Sequence, residues 1–250
     1  MKRDDVVVLL PARMGSSRLP GKPLADIGGR PMILHVLDLA SRAAVGPVVV
    51  ATDSPAVMAV VETAGGRAVM TRNDHPSGSD RVHEALGVVD PQGRANIVVS
   101  CPGDHPVFDP ADIAAALEPL ADLSVDISTL AAEIREPAER TDPHVVKAVG
   151  TMIAPRRLRA LYFTRAIAPW GEGPLFHHFG LYAYRRAALQ RFVALPPSLL
   201  ERRERLEQLR ALEAGMRIDA AIIDAEPLDV NTPEDLARVR DLFGSSPSKY

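Results

Sequence analysis

Cationic and small side chains follow the first apolar segment of the chain in close succession. Val6 to Leu10 is a run of five apolar, mostly β-branched residues, which predicts a central strand of a parallel sheet. The loop after it contains two glycines together with Arg13, Arg18 and Lys22. Cationic side chains and the exposed N–H groups of a glycine-containing loop bind anions. The segment therefore predicts a polyphosphate-binding loop, and an ordinary basic surface loop is the alternative.

A carboxylate follows another predicted strand. Asp104 comes just after the segment Ala95 to Cys101. Because ligands lie beyond the carboxyl ends of parallel strands, we expect Asp104 and the basic loop at the same edge of the sheet. A carboxylate that faces bound phosphates is the usual arrangement for Mg²⁺, and an Asp that caps the following turn is the alternative. The neighbouring His105 is interpreted as a loop residue and has no catalytic role assigned to it.

Two further polar segments suit a nucleotide site. The loop from Thr71 to Arg81 is dense in donors and acceptors that would match a base and a ribose, although this pattern has low specificity. Near the end of the chain, Asn231 offers a second oxygen ligand or else takes part in a helix cap. Thr232, followed by proline and two acids, predicts the N-cap of the last helix.

Composition narrows the function classes. The chain has 250 residues, 46% of them hydrophobic and 24% charged, with a formal net charge of -3. This profile is typical of a globular protein and provides no large basic field for nucleic acid. Cys101 is the only cysteine, so an internal disulfide and a cysteine-based zinc site are excluded. We expect a cytoplasmic protein without membrane insertion, because the N-terminal residues carry no signal or membrane-helix pattern.

The first half of the chain alternates strand-like and helix-like segments, which predicts a layered α/β fold with a largely parallel sheet. The predicted strands are Val6 to Leu10, Pro47 to Thr52, Arg67 to Met70, Ala95 to Cys101 and Ile127 to Ala131. The predicted helices are Met32 to Ala43, Ala56 to Ala64, Asp80 to Val88 and Pro110 to Leu120.

The second half follows a less regular pattern. Strands are predicted at Val145 to Val149, at Gly180 to Tyr184 and, last, at Ile218 to Ile223. The irregular segment around Pro169 to Pro174 is interpreted as an arm or flap. Ser198 to Ala214 predicts one helix with a leucine face, and its charged residues are expected to form a solvated face.

Taken in order, these motifs resemble the CMP-Kdo synthetase family, the 3-deoxy-manno-octulosonate (Kdo) cytidylyltransferases, from near residue 6 to near residue 243. The motifs that carry the resemblance are Pro11-Ala12-Arg13, Arg18-Leu19-Pro20-Gly21-Lys22-Pro23-Leu24, Pro31-Met32, Ala51-Thr52-Asp53, Thr71-Arg72, Asp74-His75, Ser77-Gly78, Gly103-Asp104, His178 with Gly180 and Tyr182, and Leu206-Glu207-Gln208-Leu209-Arg210. The resemblance implies a three-layer, Rossmann-like nucleotidyltransferase fold with a mixed, mostly parallel central sheet. It also implies a single domain over residues 1–243 and a dimerisation arm at about 150–185, while the Ser- and Pro-rich composition of residues 244–250 predicts a flexible tail.

The family's activity is implied in the same way: CMP passes from CTP to the anomeric hydroxyl of Kdo, pyrophosphate leaves, and the product serves lipopolysaccharide synthesis. Mg²⁺ is the implied cofactor and a homodimer the implied assembly. The implied catalytic residues are Arg13, Lys22 and Asp104. The implied nucleotide-binding residues are Pro11, Ala12, Arg13, Arg18, Lys22, Arg72, Ser77 and Gly78. The implied sugar-acid residues are Arg165, His178, Tyr182, Glu207 and Gln208, and the implied Mg²⁺ ligands are Asp104 and Asn231.

Two positions depart from the family pattern. Pro102 stands where the family usually has glutamine, and Asn231 stands where it usually has aspartate. The loss of one carboxylate predicts weaker Mg²⁺ binding, because carboxylate number tunes affinity for hard cations. Two alternatives remain open: a cytidylyltransferase for another sugar acid, such as a sialic-acid relative or an amino-substituted Kdo, and a non-catalytic nucleotide-binding relative.

Overall fold

The computed structural model describes residues 5–15, 18–224 and 228–245 of the chain. Its strands are β1 (Val6–Ala12), β2 (Asp26–Ile27), β3 (Arg30–Pro31), β4 (Val48–Thr52), β5 (Ala68–Met70), β6 (Ile97–Ser100), β7 (Ile127–Glu133), β8 (Lys147–Ala154), β9 (Arg157–Thr164), β10 (Phe176–Arg185) and β11 (Ile218–Ile223).

Helices follow most of these strands. They are α1 (Met32–Arg42), α2 (Pro55–Thr63), α3 (Gly78–Val89), α4 (Pro110–Leu117), α5 (Pro137–Thr141), α6 (Arg186–Ala194), α7 (Leu199–Glu204), α8 (Leu209–Glu213) and α9 (Pro233–Ser245). Short 3₁₀ helices lie at Lys22–Leu24 and Glu118–Ala121.

The chain forms two compact units, the first from residues 1–113 with 227–250 and the second from residues 114–226. In the first unit, β1 lies between β4 and β6, and both pairings are parallel. Strand β5 pairs in parallel with the outer side of β4. Val6 to Leu10 are almost fully buried, as a strand covered on both faces requires. The carboxyl ends of β1, β4 and β6 therefore point the same way.

Apolar packing brings the end of the chain back to the N-terminal loop within this unit. The buried side chains that form this cluster are Ile27, Met32, Val230, Leu236 and Val239. Helix α9 begins as predicted, because the Thr232 hydroxyl accepts a hydrogen bond from the Asp235 N–H at 3.2 Å. The Asp235 carboxylate in turn accepts from the Thr232 N–H at 2.8 Å. The segment just before α9 is thereby fixed beside the loop that contains Lys22.

The second unit contains strands in the order β10-β7-β11-β9-β8. The β7–β11 pairing is parallel, and β10–β7, β11–β9 and β8–β9 are antiparallel. Asp219 is a fully buried residue of β11, and its carboxylate pairs with Arg157 at 2.6 Å and with Arg217 at 3.0 Å. This buried carboxylate is balanced by two guanidinium groups, as a charge in an interior must be.

The fold class predicted from the sequence is confirmed: the protein is α/β, with parallel strands in the first unit and mixed pairing in the second. The predicted strands and helices of the first half are all present, with ends shifted by a few residues. Strands β2, β3 and β9 and helices α5 and α6 were not predicted from the sequence. The buried and exposed alternation of Arg157 to Ala160 was a usable period-2 signal for β9.

The single helix predicted over Ser198 to Ala214 is wrong. The segment forms α7 and α8, and Arg205 between them has a left-handed backbone with φ of 56°. The break is stabilised because Glu201 accepts two hydrogen bonds from Arg210, at 2.5 and 2.9 Å, which folds the second helix back on the first. The expectation of a solvated charged face is therefore wrong for Glu201.

At the end of the chain, α9 extends to Ser245, and residues 246–250 of the predicted tail lie outside the described residues. None of the helices in the described ranges is both long enough and apolar enough to cross a bilayer.

Candidate functional site

A cluster of charged and polar groups lies beyond the carboxyl ends of β1 and β6 in the first unit. The Lys22 ammonium donates a hydrogen bond to the Asp104 carboxylate at 2.5 Å and to the Val230 carbonyl at 2.9 Å. The Asn231 Oδ1 atom is 3.4 Å from the same ammonium and accepts a hydrogen bond from Arg18 at 3.0 Å. The predicted site residues Arg18, Lys22, Asp104 and Asn231 come from three distant segments of the chain and lie together here.

Close backbone contacts fix the relative position of these segments. A Cβ atom placed on Gly103 would lie 3.0 Å from the Pro11 carbonyl oxygen and 3.2 Å from Ile33 Cδ1, so the loop after β6 packs directly on the end of β1. The Val230 N–H donates to the Asp104 carbonyl at 2.9 Å. Asp104 is therefore held from both sides, by its own strand end and by the segment before α9.

The electrostatics of the cluster keep Asp104 ionised. Burial raises the pKa of the Asp104 carboxyl, but the charges of His105 and Lys22 and the hydrogen bond from Lys22 lower it by more. The net pKa lies below the ordinary aspartate value. His105 is 3.7 Å from the carboxylate, so its contribution is electrostatic, and the sequence interpretation that gave it no catalytic role stays untested.

The oxygens of Asp104 and Asn231 fit a hard divalent cation. Both converge on one cationic group, the Lys22 ammonium, and Mg²⁺ commonly takes one or two protein oxygens with phosphate and water completing its shell. The Asn231 amide nitrogen donates to Asp229, which orients the amide oxygen toward the cations. Across the described ranges, no group of three or more His, Cys, Asp and Glu side chains is placed to hold a metal ion.

The remaining residues of the predicted phosphate loop lie at the same rim. Pro11 and Ala12 are the last residues of β1, and Arg13 follows them with an exposed side chain. Arg13 makes no hydrogen bond to any other described residue. Because its side chain is exposed, Arg13 can meet an anion that approaches the end of β1.

An ion pair that sequence reasoning missed anchors this loop. The buried Arg81 donates to Asp53 at 2.8 Å and to the Thr71 hydroxyl at 2.5 Å. The other Asp53 oxygen accepts the Met14 N–H at 3.4 Å. The signal that could have found Asp53 is its position directly after β4, at the same strand ends as the loop.

The predicted cytidine-binding loop adjoins this rim. Gly78 opens α3, and a Cβ atom on it would lie 3.8 Å from Pro11 Cγ. Ser77 is the N-cap of that helix, and its hydroxyl is engaged by Asp80 as both donor and acceptor. Arg72 has an exposed side chain, and its N–H donates to Glu84 at 3.1 Å. Glu84 also contacts His75, which ties the loop to α3.

The predicted sugar-acid residues lie in the second unit, and several of them are neighbours. His178 and Tyr182 are both on β10, with ring centroids 5.4 Å apart. Burial raises the pKa of Tyr182 well above its ordinary value, and the nearby Tyr184 and Glu207 raise it further. Gln208 is 6% exposed, and its amide nitrogen has no hydrogen-bond partner in the described part of the chain. Buried donors of this kind are rare without a ligand or water to satisfy them.

Arg165, the fifth predicted sugar-acid residue, is held by backbone carbonyls. Its Nε donates to the Glu204 carbonyl at 2.9 Å and its Nη1 to the Pro143 carbonyl at 2.9 Å. The three remaining N–H groups, one on Nη1 and two on Nη2, make no hydrogen bond to a described residue and can bind a ligand. A carboxylate cannot bind to Nε and Nη2 together here, because Nε already donates to the Glu204 carbonyl.

Glu204 is a second residue that sequence reasoning missed. Its carboxylate accepts from the Thr164 hydroxyl at 2.8 Å and from the Arg165 N–H at 3.0 Å. Glu204 ends α7, three residues before Glu207, so it ties two sugar-acid segments together. The sequence pattern placed it on a charged helix face and carried no signal of this contact.

The first unit has the arrangement of a nucleotide-binding α/β protein, in which charged loops meet beyond the carboxyl ends of parallel strands. The chain matches a cytidylyltransferase family model over residues 7–218. It is 65% identical to the 3-deoxy-manno-octulosonate cytidylyltransferase of Methylobacterium nodulans, over 96% of this chain and 98% of that protein. It is 63% identical to the enzyme of the same name from Rhodopseudomonas palustris, over 98% of this chain and 99% of that protein.

A solved structure agrees with these sequence relationships. The structure of CMP:2-keto-3-deoxy-manno-octonic acid synthetase complexed with CTP superposes with a TM-score of 0.89 at 41% identity. The match covers 96% of this chain and 99% of that one. The chain belongs to the 3-deoxy-manno-octulosonate cytidylyltransferase family, so the resemblance inferred from its motifs is confirmed. The roles of the individual site residues stay predictions.

Proposed function

We propose that this protein transfers CMP from CTP to the anomeric hydroxyl of Kdo and releases pyrophosphate, for use in lipopolysaccharide synthesis. The observation that carries the proposal is the convergence of Lys22, Asp104 and Asn231 beyond the strand ends. This cluster occurs in a chain that matches 3-deoxy-manno-octulosonate cytidylyltransferases over nearly its whole length. We further propose a cytoplasmic location, because a single cysteine suits a reducing compartment.

The cationic side chains of the rim bind the triphosphate in this proposal. Phosphoryl transfer depends on positioning and charge neutralisation more than on covalent chemistry by the protein. Lys22 points its ammonium protons at Asp104, the Val230 carbonyl and Asn231. The 3.4 Å contact to Asn231 is the weakest of the three, so a phosphate oxygen replaces it most easily. Arg13, exposed at the end of β1, binds a second phosphate oxygen.

The same exchange prepares the metal site. Once the Lys22 ammonium turns to phosphate, the Asn231 oxygen loses that one contact and would hold Mg²⁺ together with the Asp104 carboxylate. Mg²⁺ bound there would neutralise phosphate charge and lower the pKa of the attacking hydroxyl. Arg18 retains its hydrogen bond to Asn231 at 3.0 Å, which keeps the amide oriented. Asp104 contributes its charge at neutral pH because its pKa is lowered.

Residues of the second unit recognise the sugar acid. The Nη2 group of Arg165 binds the sugar carboxylate, since Nε and one of the two Nη1 N–H groups are occupied by carbonyls. The unpartnered amide nitrogen of Gln208 donates to a sugar hydroxyl. Glu207 accepts from hydroxyl groups, and His178 and Tyr182 form the aromatic wall of the pocket. A polar pocket of this kind discriminates strongly against analogues that leave its buried groups unpaired.

We propose that the protein is a homodimer. Exposed apolar side chains concentrate between residues 152 and 170 of the second unit and include Met152, Ile153, Leu161 and Trp170. Trp170 is 98% exposed. Exposed apolar side chains grouped in this way are typical of a protein interface. Sedimentation of the native protein and of Leu161→Asp tests this: a dimer that the variant converts to monomer supports it, and a native monomer refutes it.

Pyrophosphate release measures the proposed reaction directly. The protein is incubated with CTP and Mg²⁺ and, in separate reactions, with Kdo, an amino-substituted Kdo or a sialic acid. Release that depends on both CTP and Kdo is the expected result. A clear preference for another sugar acid would support the first alternative. CTP binding without any pyrophosphate release would support the non-catalytic alternative and refute the proposal.

A further inference from the structure

Strand β10 contains an irregularity next to the predicted sugar-acid residues. Phe179 is opposite Leu130 on β7, whereas Tyr182 is opposite Thr129, the adjacent residue. Two residues of β10, Gly180 and Leu181, therefore have no partner in the β7 register. Such bulges re-aim side chains and leave backbone groups that need other hydrogen-bond partners.

The Thr129 side chain supplies those partners. Its Oγ1 atom is 2.9 Å from the Phe179 carbonyl oxygen and 2.8 Å from the Leu181 carbonyl oxygen. The same atom is 3.0 Å from Nε2 of His178. Thr129 is fully buried, so one hydroxyl group serves three groups of β10 without access to solvent or substrate.

All three contacts of Thr129 can be hydrogen bonds at once in only one arrangement of the protons. Carbonyl oxygens only accept, and a hydroxyl has a single proton to donate. The Thr129 proton is therefore shared by the two carbonyls, and the hydrogen bond to His178 needs a proton from the ring. His178 must donate through Nε2, and the neutral ring then carries its lone pair on Nδ1.

We infer that Thr129 is a positioning residue for His178 in the sugar-acid pocket, where it holds the ring proton on Nε2 and fixes the ring's rotation. The contacts of Thr129 are present in the structure whatever the protein does, but their importance for sugar-acid binding rests on the proposed function. Phe163 packs edge-on to His178 with centroids 4.8 Å apart, and Tyr182 lies on another side at 5.4 Å. Packing thus limits where the ring lies, and Thr129 determines which nitrogen is the donor and which the acceptor.

Loss of the hydroxyl should weaken sugar-acid binding without affecting CTP. In Thr129→Val the shape of the side chain is kept, but the His178 ring loses its acceptor and two carbonyls lose their donor. We expect the KM for Kdo to rise about tenfold, the effect of one lost hydrogen bond, with the KM for CTP unchanged. Thr129→Ser restores the hydroxyl and should restore the KM for Kdo.

The adjacent residue offers a matched control. Ser128 is also fully buried on β7, but its side chain is on the opposite face of the strand, and its hydroxyl has no hydrogen-bond partner in the described residues. Ser128→Ala should leave both KM values unchanged. An equal rise in the KM for Kdo in Thr129→Val and Ser128→Ala would overturn the inference, as would a failure of Thr129→Ser to restore it.

Nitrogen-15 NMR of the histidine rings tests the proton position without any activity. The His178 signal is assigned by its loss in His178→Gln. In the native protein we expect the Nε2–H tautomer, and in Thr129→Val a shift toward the other tautomer. A native ring protonated on Nδ1 alone would overturn the inference even if Thr129→Val failed to fold. A native protein that shows the Nε2–H tautomer but releases no pyrophosphate would instead refute the proposed function and leave the positioning contact standing.

Discussion

Replacement of Asp104 by Asn tests both the chemistry and the stability of the rim. The change keeps the shape of the side chain and removes its charge. Asn can still accept from Lys22, but it provides no carboxylate for a cation. Loss of one preorganised charged group at a reacting phosphate lowers turnover by about 10²- to 10³-fold. We therefore expect pyrophosphate release by Asp104→Asn to fall by at least about a hundredfold.

The stability effect can be bounded from the geometry of the ion pair. Lys22 and Asp104 are 2.5 Å apart, with side chains 13% and 26% exposed. Exposed ion pairs contribute about 0–1 kcal/mol, and breaking a fully buried pair destabilises by about 3–5 kcal/mol. This pair lies between those limits, so Asp104→Asn should lower the free energy of unfolding at pH 7 by about 1–2 kcal/mol.

The pH dependence of that difference has a definite sign. Because the folded-state pKa of Asp104 is below its unfolded value, ionisation stabilises the folded protein above the ordinary aspartate pKa. The stabilisation is lost as the pH falls through the folded value. The native protein should therefore be more stable than Asp104→Asn at neutral pH, and the difference between their free energies of unfolding should shrink as the pH falls.

Urea unfolding at pH 7 and in acid, together with pyrophosphate release, provides the measurements. Asp38→Asn is the matched control, because Asp38 pairs with Arg30 at the same 2.5 Å but with side chains 53% and 39% exposed. It should change stability by about 1 kcal/mol or less and leave turnover intact. Near-normal turnover in Asp104→Asn would refute the metal-ligand assignment, and a stability gap that is equal at both pH values would refute the electrostatic account.

Two further substitutions test the metal site and the sugar-acid pocket. Asn231→Asp should lower the Mg²⁺ concentration that half-saturates turnover, because a second carboxylate strengthens binding of a hard cation; titrations with an unchanged midpoint would contradict this. Glu204→Gln should raise the KM for Kdo about three- to tenfold and spare the KM for CTP, because it weakens the hydrogen bond that the Glu204 carboxylate accepts from the Arg165 backbone N–H. Glu213→Gln, which alters a carboxylate bonded to the Leu200 N–H in the same helical pair, is the control and should affect neither KM.

The parallel half of the fold was predictable from local signals. Buried β-branched runs and amphipathic segments alternate there, and the rule that ligands lie beyond strand ends placed Lys22 and Asp104 together. Lys22 is in the loop that follows β1 and Asp104 is in the loop that follows β6, so the strand ends determine at which edge of the sheet the two residues meet. The contact at 2.5 Å is therefore a consequence of topology that the sequence pattern already contained.

The second half was harder because its structure depends on contacts between distant side chains. Strand β9 ends where Glu204, about 40 residues later, accepts the Arg165 N–H. The break at Arg205 depends on Glu201 and Arg210. A charged helical pattern does not distinguish side chains that face water from side chains that pair with one another. The sequence consequently predicted one solvated helix where two short ones pack together.

Asn231 shows how residue type and hydrogen-bond direction contribute separately to a site. The family pattern indicates a carboxylate at this position, and the sequence alone suggests only a lost charge. The structure adds that the amide is used at both ends: its oxygen faces Arg18 and Lys22, and its nitrogen donates to Asp229. A carboxylate here would still face Arg18 and Lys22, but it would place a second negative charge beside Asp229, where the amide nitrogen instead donates a hydrogen bond. The amide thus avoids that repulsion, and if the rim binds Mg²⁺ as proposed, we expect the missing carboxylate to raise the metal requirement.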